Sequence, residues 1–457
     1  MKTTGGRFFD RSTQKIAGSA TLVLLCISAV NSSAETTVGR ASDFLNSLGI
    51  CTHIAQGIDN PTNVAGCLTY AGIRNIRDDG TAKPATIESW IYVHKSSGAK
   101  ACLLPINGNV SKSISMYEQL AAAGALLAVE GPNEPNNFPV RYEGVKSSKT
   151  NSLPVARFQR DLYQAVKTDP KLAGVPVFAS SEAGGSEPNN CGLQFLKIPD
   201  GASTLMPDGT VFADYANTHN YVCDHLSNVV DNTAWGAEDP ALNGRWDGMH
   251  VEYGHTWWSP GYQGYSDSQL LTLPRVTTET GWQTQGKEAI SEEQQARLFL
   301  NLYLAAFKRN WSYTFIYMLR DDPGQGSWGL FHADWTPKRS AVCLHNLTMI
   351  LADTSPIKSA SKKALNYSIV DEPATVHDLL LQKSGGLFEL AVWGESAKRF
   401  NNITVTLPGG VTAVSIYDPT VGVAPNQTLK NVSSIQFHMT DHPIIIEITT
   451  DATSTHP

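Results

Sequence analysis

The sequence predicts an α/β fold: a (β/α)8 TIM barrel over residues 35–355, followed by a small antiparallel β-sandwich over residues 363–452. Three observations predict it. Between about residues 45 and 350, eight short apolar runs alternate with longer amphipathic segments. Most of these runs are continuously apolar and turn polar at their C-terminal ends, as parallel strands buried on both faces do. Beyond residue 360 the pattern changes to two-residue alternation interrupted by turn residues, which is the signature of antiparallel strands.

In chain order the eight runs are Leu48–Ile54, Ile73–Asp79, Ala101–Asn107, Ala125–Gly131, Val175–Ser181, Asp214–Tyr221, Arg275–Gly281 and Tyr313–Leu319. The segments between them carry helix signals. Ser291 with Gln294 forms a capping-box pattern, and Ala296, Phe299, Leu300, Tyr303, Ala306 and Phe307 then make one apolar stripe. Lys308 and Arg309 follow in the last turn, where cations complement the helix dipole. A similar stripe, Val155, Phe158, Leu162 and Val166, lies behind Ser152 and Pro154. The C-terminal region reads HDLLLQK, LFELAVW, NITVTLP, TAVSIYD, SSIQFHM and PIIIEIT, with a Gly-Gly turn between the third and fourth strands. No dinucleotide or P-loop glycine motif is present, which disfavours the nucleotide-binding open sheets.

Composition narrows the partners. The 457 residues are 41% hydrophobic and 17% charged, with a net charge of −7. There is no long basic run, so nucleic acid and anionic membrane surfaces are poor candidate partners. Ten Trp and fifteen Tyr suit a neutral, ring-shaped ligand. Residues 1–34 read as an export signal: Lys2, Arg7, Arg11 and Lys15, then an apolar stretch from Ile16 to Val30, then Ser32 and Ala34 before the cut. The expected location is therefore secreted, periplasmic or extracellular, with no integral membrane segment once the signal is removed. Six cysteines remain, and Cys191 with Cys223 is the expected bridge. No CxxC or HExxH spacing suggests a metal, and no cofactor is expected.

The chemistry-bearing candidates are carboxylates just past apolar runs. Cleaving a glycosidic bond with retention needs two carboxyl groups about 5–5.5 Å apart, one protonated and one ionised. In a barrel such a pair comes from the C-terminal ends of different strands. Glu134 follows the fourth run in LLAVEGPNEPN, with Pro132 and Pro135 restricting the backbone on either side. Asn133 beside it can both donate to and accept from a sugar hydroxyl. Glu279 ends the seventh run in RVTTETGW, where Gly281 lets the chain turn away and Trp282 is expected to place a ring near the site.

These residues resemble clan A of the glycoside hydrolases, families five and thirty-nine in particular. The resemblance rests on Asn133-Glu134-Pro135 after the fourth run, the isolated Glu279 after the seventh, Arg77 at the second, and His219 with Tyr221 at the sixth. The passage GLFHADWTPKRSA after the eighth run is similar to those families as well. It implies that Glu134 is the acid/base, that Glu279 is the nucleophile supported by Arg77, and that His219 and Tyr221 touch substrate or nucleophile. Where many members carry a Trp at the end of the eighth strand, this chain offers Tyr317, with Trp328 further along the loop. His53, ending the first run, is a further candidate sugar contact, and Trp257 and Trp258 are candidate aromatic faces.

Glu182 and Glu252 are the rival nucleophiles, and Glu130, inside the fourth run, reads as a buried ion partner. On this reading Glu134 carries the raised pKa and Glu279 stays ionised. The expected substrate is a β-linked polysaccharide or oligosaccharide. The rival functions are transglycosylation at the same site and a non-catalytic carbohydrate-binding envelope protein.

Overall fold

In the computed structural model, seven strands pair in parallel. Their order is Leu126–Val129, Lys100–Leu103, Asn75–Asp78, Leu48–Cys51, Trp311–Ile316, Arg275–Thr280 and Ala216–Thr218. Parallel bridges join Val129 to Val177 and Phe178 to Tyr215, so the fifth predicted run lies between the two outer strands of this sheet. The residues described are 38–181, 189–223, 226–242, 248–254, 264–353, 364–398 and 401–451. The expected export signal, Glu182, Trp257 and Trp258 lie outside them.

Helices follow the early and late strands for local reasons. Asn60 accepts from the Thr62 and Asn63 amides ahead of the helix Pro61–Ala71. Ser291 and Gln294 form a reciprocal capping box at the start of Glu292–Lys308. The stripes read from the sequence, Val155/Phe158/Leu162/Val166 and Ala296/Phe299/Leu300/Tyr303, are buried. The regular alternation lapses after the fifth and sixth runs. Among the described residues there, no helix exceeds five residues. These segments are rich in Pro, Gly and Asn, which favour turns over helix. Among the described residues no helix is long and apolar enough to cross a membrane.

All six C-terminal runs form strands. One sheet has six strands and includes Val376–Gln382, Phe388–Gly394, Pro443–Thr450 and Val411–Tyr417; a second has three, Ser368–Val370, Asn401–Thr406 and Ser434–Met439. Strand alternation divides the larger sheet between two cores. Leu380, Leu390, Val392 and Ile446 face the smaller sheet's core, while Leu379, Leu381, Ala391, Trp393 and Ile445 join the core of the parallel sheet. The helix Glu292–Lys308 is tied to this layer as well: Asn301 donates to the Gly394 and Asp441 carbonyls, and Arg297 pairs with Asp441. The chain also enters through this layer. Gly39–Arg40 pairs in parallel with Leu381–Gln382, so residues 39–40, read from sequence as part of the barrel, extend the six-stranded C-terminal sheet.

Candidate active site

Side chains from four strand ends meet at the C-terminal edge of the parallel sheet. Arg77 is the hub, and it is 5% exposed. Its Nε and Nη2 donate to the two oxygens of Glu130 at 2.9 Å each, Nη2 also donates to Asn133 Oδ1 at 2.7 Å, and Nη1 donates to Glu279 Oε1. A buried guanidinium needs such compensation, because an unpaired charge in the interior costs several kcal/mol. Glu130, fully buried, also accepts from Thr278 Oγ1 at 3.0 Å and Asn217 Nδ2 at 3.3 Å.

Glu279 is held from a second direction. Tyr221 donates its hydroxyl to Oε2 at 2.7 Å, and His219 Nδ1 lies 3.7 Å from the same oxygen. Burial, and then the Glu279 charge, push the Tyr221 phenol well above its ordinary range, so it stays a donor. Gly281 follows at φ 147°, and a Cβ there would lie 2.8 Å from the Tyr317 carbonyl; the strand can turn away here only with glycine.

Glu134 sits at φ 36°, in the left-handed region that non-glycine residues rarely occupy. Its carbonyl accepts from the Asn137 and Phe138 amides at 2.8 and 2.7 Å, closing a tight turn that turns the side chain into the cleft. Its Oε1 is 2.9 Å from His219 Nδ1 and its Oε2 accepts from Asn137 Nδ2 at 3.0 Å. The expectation of a raised pKa at Glu134 is corrected here. Burial alone pushes the carboxyl up, but His219, Asn137 and Arg77 outweigh it and hold the group at about 2. His219 responds in the opposite sense. Burial presses it down, but the Glu279 charge and the Glu134 hydrogen bond raise it above the ordinary histidine value. The proton between the pair is therefore biased towards His219 and away from Glu134.

One carboxylate oxygen of Glu134, one of Glu279 and a ring nitrogen of His219 lie within 4.8 Å of one another. That spacing would also suit a divalent cation, but protein donors already occupy these atoms and the Arg77 charge opposes a second cation beside Glu279.

These groups open into a cleft of about 620 Å³, within the usual range of small-molecule sites, roughly 300–1,000 Å³. His53, Arg77, Asn133, Glu134, Tyr221, Glu279, Tyr317 and Trp328 all line it. Tyr317 and Trp328 pack edge to face, and His53 packs edge-on to Tyr317. His219 is 1% exposed and lies behind the carboxylates.

Trp282 is a correction. It is 1% exposed, belongs to the core cluster, and donates its indole N–H to the Glu288 carbonyl. The turn at Gly281 carries it inward, away from the cleft. Glu252, a rival nucleophile, lies in the π-helix His250–Gly254 and does not line the cleft. The Cys191 thiol of the expected Cys191–Cys223 bridge donates to the Asn189 carbonyl at 3.2 Å.

Sequence reasoning missed Asn217 and Thr278. Asn217 precedes His219 by two residues and so shares its strand face, a signal that was available. It also missed Asp78, at the end of its strand, and Asp79, Gln56 and Phe138, which line the cleft from loops.

No protein-family model matches the chain. No curated protein matches it either. Among solved structures, the chain is similar to a glycoside hydrolase family 30 subfamily 8 xylanase from Clostridium acetobutylicum, with a TM-score of 0.52 and 10% identity over 92% of this chain and 98% of that one. It is also similar to the GH51 arabinofuranosidase from Xanthomonas axonopodis pv. citri (TM-score 0.49, 11% identity, 85% of this chain and 89% of that one). A GH30 endoxylanase from Clostridium papyrosolvens C71 gives 0.48 and 11%, over 89% and 96%. At these identities the likeness is one of fold. These neighbours belong to families 30 and 51, not to the five and thirty-nine of the sequence resemblance.

Proposed function

We propose that the chain is an exported retaining glycoside hydrolase acting on β-linked glycans. Glu279 is its nucleophile, Glu134 its acid/base, and the scaffold is a closed (β/α)8 ring. The two parallel bridges to residues 177 and 178 support the closure. One observation carries the functional reading: the carboxylates of Glu134 and Glu279 reach within 4.8 Å of each other across one cleft. Retaining enzymes hold this pair about 5–5.5 Å apart, whereas inverting ones leave about 6.5–9.5 Å for a water.

The hydrogen bonds divide the roles. Arg77 and Tyr221 stabilise Glu279 as an anion, as attack on the anomeric carbon requires. Arg77 takes Asn133 Oδ1, which leaves the Asn133 amide N–H groups to donate to a sugar hydroxyl beside the bond to be cut. Glu134 must deliver a proton to the leaving oxygen, and His219 Nδ1 holds one 2.9 Å away. A sugar filling the cleft displaces water and disfavours the separated charges of that pair. The proton then passes from Nδ1 to Glu134 and on to the glycosidic oxygen. In the second half, Glu134 takes a proton from the incoming water while the Glu279 ester breaks.

The test is a pair of variants. Glu279→Gln should reduce turnover to background with the fold intact. Glu134→Ala should lose about 10²–10⁴-fold on substrates with poor leaving groups and recover with azide on an activated aryl glycoside. Wild-type turnover in Glu279→Gln would overturn the reading.

A further inference from the structure

The cleft extends well beyond the two carboxylates, and its far wall is built from loops that the mechanism leaves unused. The loop after the second strand carries Asp79. The Asp79 carboxylate accepts from Gln56 Nε2 at 3.0 Å and lines the cleft. Its backbone is fixed from behind, because the buried Asp78 carboxylate accepts from the Asp79 amide at 2.8 Å and from the Thr52 hydroxyl at 2.7 Å. Gly80 lets this loop lie flat on its neighbour: a Cβ there would come within 2.1 Å of the Leu104 carbonyl.

Phe138 lines the same cleft yet is 59% exposed, an apolar ring left in water. It is nevertheless held. Its amide donates to the Glu134 carbonyl at 2.7 Å, and Asn107 Nδ2 donates to the adjoining Pro139 carbonyl at 3.3 Å. An exposed ring on a fixed backbone, lining the same cleft as carboxylate and carboxamide groups, is what a sugar needs: an apolar face to cover its C–H face, and acceptors and donors for its hydroxyl rim.

Charge narrows the ligand. Arg77 is the only Arg or Lys lining the cleft among the described residues, and its donors go to Glu130, Asn133 and Glu279. Burial pushes His53 down, towards its neutral form. Asp79, Glu134 and Glu279 all face the cleft. A uronic acid or sulfated sugar would meet carboxylates with no counter-charge.

We propose that Asp79, Gln56 and Phe138 form a second sugar subsite that selects a neutral glycan chain and rejects an acidic one. This rests on the hydrolase reading for its biological use but not for its test, which measures binding. In a Glu279→Gln background, xylo-, cello-, laminari- and mannotetraose are titrated calorimetrically. At least one neutral tetraose binds, and adding Asp79→Ala or Phe138→Ala weakens it about tenfold or more, as loss of a hydrogen bond to a charged group or of a stacked ring does. The same tetraose bearing a uronic acid side chain binds more weakly than the neutral one, and Asp79→Asn narrows that gap. The subsite is overturned if no tetraose binds, if both variants bind like their parent, or if the acidic oligosaccharide binds more tightly. Binding as expected together with no turnover by the wild-type chain would sink the hydrolase reading and leave the subsite standing.

Discussion

His219 Nε2 lies 3.1 Å from Thr278 Oγ1, and this contact fixes the proton on the other side of the ring. The Thr278 hydroxyl has only one hydrogen, and its other neighbours are Glu130 Oε1 at 3.0 Å and Asn217 Oδ1 at 2.9 Å, which are acceptors. Nε2 must therefore be the donor to Thr278. The position between Nδ1 and Glu134 Oε1 then holds a single shared proton.

This sets the alkaline limb of activity. The active form needs one proton on the Glu134–His219 pair and none on Glu279. His219 is raised above its ordinary 6.5, so the pair loses its proton at a higher pH than a free histidine does. The kcat/KM profile should fall above pH 6.5, and in His219→Asn the fall should move to lower pH. A wild-type limb near 4.5, or no movement in the variant, would show that His219 does not hold the proton.

Tyr221 tests the anchoring of Glu279. Tyr221→Phe removes the 2.7 Å bond to Oε2 while keeping the ring. A hydrogen bond to a charged group contributes about 1.5–3 kcal/mol, so kcat/KM should drop roughly 10- to 100-fold with thermal stability little changed. A drop of less than twofold would mean that Arg77 alone suffices.

Trp282 should behave as core. Trp282→Phe loses volume and the bond to the Glu288 carbonyl, and should cost about 1–3 kcal/mol of stability. KM should stay put. A raised KM at unchanged Tm would return Trp282 to the cleft.

The joint between the two layers should titrate. His442 Nε2 lies 3.3 Å from Asp418 Oδ2 and Nδ1 lies 3.3 Å from Asp441 Oδ1. Burial lowers His442, but the two carboxylates outweigh it and raise the group to about 9. A raised histidine stabilises the fold fully below its unfolded value of 6.5, and the contribution is lost as pH rises through about 9. Tm should therefore decline from pH 6.5 to above 9, and the decline should be shallower in His442→Gln. Equal slopes in the two proteins would remove His442 from the account.

Much of this architecture was legible because parallel strands write their direction into the sequence. Glu134 and Glu279 stood out as charges just past apolar runs, and the C-terminal strands as alternation. What was not legible depends on contacts made across the chain. The low pKa of Glu134 comes from His219, 85 residues away. Trp282 was misread because one glycine φ decides which way the chain turns. Gly39–Arg40 is too short to carry a strand pattern and is ordered only by its partner. Phe138 and Asp79 lie on loops, where no periodicity marks which side chains face the cleft.

The most direct measurement uses an activated 2-deoxy-2-fluoro-β-glycoside of a sugar the protein cleaves. The fluorine slows breakdown of a glycosyl ester, so the labelled protein can be digested and its peptides weighed. The account predicts a single sugar on the peptide containing Glu279, and none in Glu279→Gln. A label on Glu182 or Glu252, or hydrolysis that inverts the anomeric centre with no label at all, would contradict it.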